Sequence, residues 1–191
     1  PAWLHSDSDW NQIEAALSGR KYTVFAGHYH NLTLHTRNDY RYFVLGATGA
    51  GFTPKQTKEL GSFDHYSIVT IDGADVTVAL VEPGNVYPAN ISTAEFKDKL
   101  RDLLTYQTTF NIDRTQPRST GTVAVKLKNE LEKVTKVEVA FNQTGNWQIT
   151  PDKISLEIQP GWEADGNITL SCPSNALTPF PTYRYAIMYG G

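Results

Sequence analysis

The residues with the most chemistry to offer sit close together at the start of the chain, in Gly27-His28-Tyr29-His30, at the end of the apolar run "KYTVFA". Two imidazoles one residue apart are a natural pair of metal donors. On an extended backbone, residues i and i+2 point to the same side, roughly 6.6–6.8 Å apart. His28 and His30 could then reach one cation, or two cations about 3.5–4 Å apart as in two-metal hydrolytic centres. Gly27 removes a side chain just before the pair, and Tyr29 would turn the other way into packing. The same H-x-H spacing also arises on ordinary strands with no ligand, so the pair alone does not decide between a metal site and a structural segment.

Other candidates are sparser. His65 in "FDHY" reads either as a residue supporting a nearby site or as a histidine bonded locally near Asp64 at a strand start. His35 alternates with Leu32 and Leu34 and reads as a sheet position, and His5 lies near the N-terminus. "GATGAG" (46–51) is glycine-rich but lacks the Lys-Ser/Thr ending of a phosphate loop and the G-x-G-x-x-G spacing of a dinucleotide fold. Ser62 follows Gly61 without a G-x-S-x-G elbow, so a serine-hydrolase triad has no support. Cys172 is the single cysteine, which excludes an internal disulfide and any zinc site built from cysteines. N-x-S/T sequons at Asn31, Asn90, Asn142 and Asn167 read as turn-rich β composition. Trp147, Trp162 and Tyr183 could form a stacking surface for a ligand or simply pack.

The elements that must position these residues follow from periodicity and turn signals. Asp9 with Gln12 suggests a capped helix carrying Trp10, Ile13 and Leu17 on one face, closed by Gly19. "KYTVFAG" reads as a buried strand. "NLTLHTR" and "YRYFVLG" form a hairpin about Asn38-Asp39, and "HYSIVTIDGADVTVALVE" forms another about Asp72-Gly73. "STAEFKDKLRDLLTYQ" is expected as one helix, capped by Ser92 and Glu95, with Phe96, Leu100, Leu103 and Leu104 on its apolar face. "FNIDRTQPR" reads as a linker. Six short strand patterns follow it, the spacing of a small β-sandwich.

With 191 residues the chain has room for one medium or two small domains, and 40% hydrophobic content supports packed cores. A formal net charge of -3 and the lack of a basic stripe argue against nucleic acid and anionic membrane as partners. No apolar run approaches a bilayer span, and the N-terminus shows no signal peptide. Because Pro1 opens on what reads as a loop, further sequence ahead of it is expected.

The stretches "W..IEAALSGRKYTVFAGHYHN", "Y..LGATGAG" and "GSFDHYSIVTIDG" resemble the C-terminal part of the calcineurin-like metallophosphoesterases, whose G-H-x-H strand end supplies the last two metal ligands. The resemblance spans roughly residues 1–110 and is densest from Tyr22 to Gly73. It implies that His28 ligates the second and His30 the first of two metal ions (iron, zinc or manganese), in a centre that hydrolyses a phosphate ester. Asn31, Gly49 and Gly51 would lie in the surrounding loops. The family's D-x-H, G-D-x-x-D and G-N-H-[DE] motifs and its further histidine have no counterpart here, so the pair is half a site. The chain is therefore expected to be part of a longer enzyme and inactive alone.

The resulting expectation is α+β for 1–110, the C-terminal sheet-and-helix portion of a metallophosphoesterase β-sandwich fold. A linker at 111–118 and an all-β sandwich at 119–191 complete it. The sandwich resembles the Ig-like accessory modules of secreted enzymes, which tilts the expected setting toward secreted or periplasmic. A sheet face left uncovered by the absent half would favour self-association or a retained N-terminal fragment. The competing expectation is a non-catalytic binding module in which GHYH is structural.

Overall fold

The computed structural model describes residues 1–5, 9–49, 58–177 and 179–190. It is mostly β, with two short α-helices and several sheets. The chain divides into two compact units, 1–98 and 99–191.

In the first unit, α1 (Trp10–Ala16) is followed by β1 (Thr23–Ala26), β2 (Thr33–Arg37) and β3 (Tyr40–Val44). These strands form one sheet in the order β1-β3-β2, with β1 parallel and β2 antiparallel to β3. Asn38 and Asp39, with φ of 48° and 65°, make the expected turn between β2 and β3. Two successive left-handed residues give a type I′ turn, whose twist matches that of the strands it joins. β4 (Tyr66–Asp72), β5 (Asp75–Glu82) and β6 (Asn85–Pro88) form a second, antiparallel sheet, with Gly73 at its expected turn.

Alternation along β3 sorts the first unit into layers. Tyr42 and Val44 face a cluster with Trp3, Trp10, Tyr22 and Val24. Phe43 faces the other way, into a cluster with Leu32, Phe63 and, from the second sheet, Val78 and Leu80. The first sheet is thus covered on one side by the N-terminal helical segment and on the other by β4–β6. Glu14 fastens the helix layer. It accepts hydrogen bonds from Tyr42 (2.6 Å), Arg37 (Nε 3.0 Å, Nη2 3.2 Å) and Trp10 (3.2 Å).

The first unit therefore departs from the expected α+β balance. Six strands among its described residues carry the architecture, while α1 has seven residues and α2 (Ala94–Asp102), which runs across the boundary between the units, has nine. The helix expected over 92–107 ends at Asp102, and Leu104–Asn111 is instead strand β7. Thr105, Tyr106, Thr108, Thr109 and Phe110 are β-branched or aromatic, and the pleated edge accepts them better than a helix does. The cap also differs. Thr93 Oγ1 accepts the Phe96 amide at 3.1 Å, while Ser92 donates to the Leu32 carbonyl at 3.0 Å.

The second unit pairs β7 with β8 (Arg118–Lys128), so residues 104–110 belong to it and 112–117 form the loop between two paired strands. Its remaining strands are β9 (Thr135–Asn142), β10 (Gln148–Thr150), β11 (Lys153–Ile158), β12 (Glu163–Pro173) and β13 (Thr182–Tyr189). They make sheets in the orders β10-β12-β8-β7 and β11-β9-β13, packed around Val123, Val125, Leu127, Val137, Ile168 and Leu170. All six strand patterns expected after the linker are present. Val, Ile and Leu at alternate positions supply the face that each sheet buries.

Candidate functional site

β1 runs Thr-Val-Phe-Ala beside β3 in parallel register, Ala26 opposite Val44, and the Leu45 amide extends the pairing by donating to Ala26 O at 2.7 Å. The two strands therefore release their next residues at the same end of the sheet. Ends of adjacent parallel strands are where α/β sheets commonly hold ligands. From β1 leaves Gly27-His28-Tyr29-His30; from β3 leaves Leu45-Gly46-Ala47-Thr48-Gly49.

The histidine pair is not on extended backbone. The strand stops at Ala26 and residues 28–31 form a bend, with φ of 84° at His28 and 51° at His30. The i, i+2 alternation expected for this segment accordingly does not set the direction of the two imidazoles. Both are exposed, and the His28 ring lies 5.7 Å from that of Tyr29. Positive φ is uncommon outside glycine, and two instances within three residues store strain of order 1–3 kcal/mol each.

The next residue anchors the bend. Asn31 Nδ2 donates to Leu60 O at 2.9 Å and to Ser62 Oγ at 2.8 Å, while its Oδ1 accepts from Lys97 Nζ. Lys97 also donates to Leu32 O (2.8 Å) and Thr33 Oγ1 (2.6 Å), and burial pulls its pKa down to about 8. The β3 loop is held from the same side. Thr48 Oγ1 donates to His65 O at 2.7 Å, and the Gly49 amide donates to Asp64 Oδ1 at 2.7 Å. Residues 60–65 thus brace both loops that leave the parallel strand pair.

His65 is 4% exposed. Its Nδ1 is 2.9 Å from Phe63 O, and its Nε2 is buried with no hydrogen-bond partner among the described residues. A Cβ on Gly46 would come within 2.4 Å of the His65 ring, so glycine is what allows the β3 loop to pass over the imidazole. Of its two expected readings, the structure shows a local hydrogen bond, made to Phe63 O rather than near Asp64, and its backbone carbonyl accepts from Thr48 of the β3 loop. His35 is half-buried on β2, with its ring 6.5 Å edge-on from Trp3; burial and nearby Lys97 hold its pKa below the usual imidazole value. His5 is exposed, and Gly51 lies outside the described residues.

Sequence reasoning missed Lys97 and Asn31 as a bonded pair, since 66 residues separate them. A lysine on the apolar side of an amphipathic helix was the available signal. Among the described residues, no group of three or more His, Cys, Asp or Glu side chains could hold a metal ion. Two neutral imidazoles do not offset the charge of two multivalent cations, so the residues present do not by themselves fit a dinuclear centre. No helix among the described residues is long and apolar enough to cross a membrane. Searched against known proteins, the chain matches no family model, no curated protein and no solved structure.

Proposed function

We propose that the first unit lends His28 and His30 to a metal centre of the metallophosphoesterase kind, whose carboxylate and remaining histidine ligands come from outside this chain. Phosphate-ester hydrolysis is the activity of the completed centre, and this chain alone is inactive. One observation carries the reading: two exposed histidines, both held at left-handed φ, on a bend braced by Asn31 at the end of a parallel strand pair. Strain of that kind persists where the surroundings enforce it, and it concentrates at ligand sites. Imidazole suits iron, zinc and manganese alike.

A second observation supports the incompleteness. On the face of β4–β6 opposite the core, Tyr66, Ile68 and Val86 are 54%, 49% and 69% exposed. Apolar side chains grouped on one sheet face mark a surface built to be covered. The same face favours the second reading, a non-catalytic interaction module.

Two measurements separate these readings. In a Zn(II) titration followed by imidazole NMR, His28 and His30 respond together and ahead of His5 and His35; equal response of all exposed histidines favours the interaction module. In the chain extended N-terminally along its own gene, metal-dependent hydrolysis of p-nitrophenyl phosphate is lost in His28→Ala and in His30→Ala. Undiminished turnover in both variants would end the enzymatic reading.

A further inference from the structure

The second unit contains an apolar cavity of about 260 Å³ between its two sheets, and every residue lining it belongs to that unit. It lies where the edge strands β7 and β13 face each other. Val123, Val125, Val139 and Leu170 are its buried aliphatic lining. The remaining wall is a run of aromatic contacts: Phe110 lies 5.2 Å from Trp147, Trp147 6.0 Å from Phe180, Phe141 5.5 Å from Tyr183, and Tyr183 5.6 Å from Tyr106. Among the described residues, no charged side chain lines the space.

Well-packed sandwiches leave few gaps larger than a water molecule; this one is open on one side, where Tyr106, Phe180 and Tyr183 are exposed, and its apolar floor lacks partner atoms there. A closed apolar cavity of about 150 Å³ takes up benzene; the present space, open at its mouth, is larger. The polar groups at its mouth are few. Trp147 Nε1 is already committed to Pro179 O at 2.8 Å. Tyr106 and Tyr183 present exposed phenols side by side at the mouth, and Tyr106 together with burial pushes the Tyr183 hydroxyl up to about 12.

We infer that this cavity is a binding site for a small planar aromatic molecule of about two fused rings, with one hydroxyl or ring N–H that bonds the Tyr106–Tyr183 pair. Ring edges and faces supply the attraction, and the absence of charge in the lining selects against ionic ligands. The inference is independent of the metal-centre reading, because it involves only residues of the second unit.

The test is a titration of the whole chain with 2-naphthol, read by calorimetry and by the methyl signals of Val123, Val125, Val139 and Leu170. Saturable shifts confined to these methyls, with a negative heat-capacity change, are expected. Thr108→Trp, on the exposed inward face of β7, and Val139→Phe each fill the space and are expected to weaken binding at least tenfold. Circular dichroism establishes that each variant is folded, and Thr108→Trp carries the test if Val139→Phe is not. Tyr183→Phe is expected to weaken 2-naphthol severalfold while leaving naphthalene unchanged. Shifts scattered over the surface, undiminished binding by Thr108→Trp, or tighter uptake of decanoate than of 2-naphthol would each overturn the inference.

Discussion

Lys97, on α2, donates a hydrogen bond to the side-chain oxygen of Asn31, the residue that follows His30. The ammonium is also held by Leu32 O and Thr33 Oγ1, so one half-buried cation ties the bend at His28–Asn31 to a helix more than sixty residues away. No carboxylate is among these three acceptors, and its burial pulls the pKa down to about 8.

The sign of that shift sets a pH dependence. Between about 8 and the unfolded lysine value of about 10.4, the unfolded chain binds the proton that the folded chain has lost. Stability of the first unit is therefore expected to rise with pH across this window. For a half-buried group, solvent screening limits the gain to about 1–2 kcal/mol. Lys97→Met should abolish the rise relative to the parent protein in urea titrations at pH 7.5, 9 and 10. A variant with the same slope would show that Lys97 does not titrate as its burial implies.

The left-handed histidines make a prediction in the opposite direction from most site mutations. His28→Gly relieves the backbone and is expected to raise unfolding stability by about 0.5–1 kcal/mol while removing the Zn(II) response. His28→Val, β-branched at φ 84°, is expected to destabilise by at least as much. Equal stabilities for the glycine and valine variants would mean the bend is not enforced by its surroundings.

Glu14 binds Arg37, Tyr42 and Trp10, and its side chain is 11% exposed. Hydrogen bonds from Arg37 and then Tyr42 hold its carboxyl below the usual glutamate range. A depressed carboxylate contributes stability that is complete above the unfolded value and is lost as pH falls through the folded one. Glu14→Gln should therefore cost about 1–3 kcal/mol at pH 7 and progressively less toward pH 3. A cost that stays constant with pH would assign the effect to shape rather than charge.

Gly46 passes so close to His65 that any Cβ meets the ring. Gly46→Ala is expected to cost roughly 1–3 kcal/mol by overpacking. Pairing it with His65→Ala should recover part of that loss in a double-mutant cycle. Full additivity of the two losses would place the strain elsewhere.

Local rules carried much of the architecture. Asn38-Asp39 and Gly73 specify hairpins because residues that tolerate positive φ stand between alternating strands, and both hairpins occur. The second unit's strands were legible because their valines, isoleucines and leucines repeat every two residues. The helix expected from Ser92 to Gln107 overran by five residues, since the apolar spacing of Leu100, Leu103 and Leu104 suits either element at that point. Leu104–Asn111 became strand because β8 offers an eight-residue ladder that a helix cannot use.

The sequence by itself identified the histidine donors and the two hairpins of the first unit, because donor type, turn residues and alternation are properties of neighbouring residues. Tertiary structure alone decided that His28 and His30 sit on a strained bend rather than a strand, and that Asn31, Lys97 and residues 60–65 hold it there. It also decided that six aromatic rings from β7, β9, β13 and the loops around them line one apolar recess. Those arrangements depend on contacts between residues dozens of positions apart, and no local spacing encodes them.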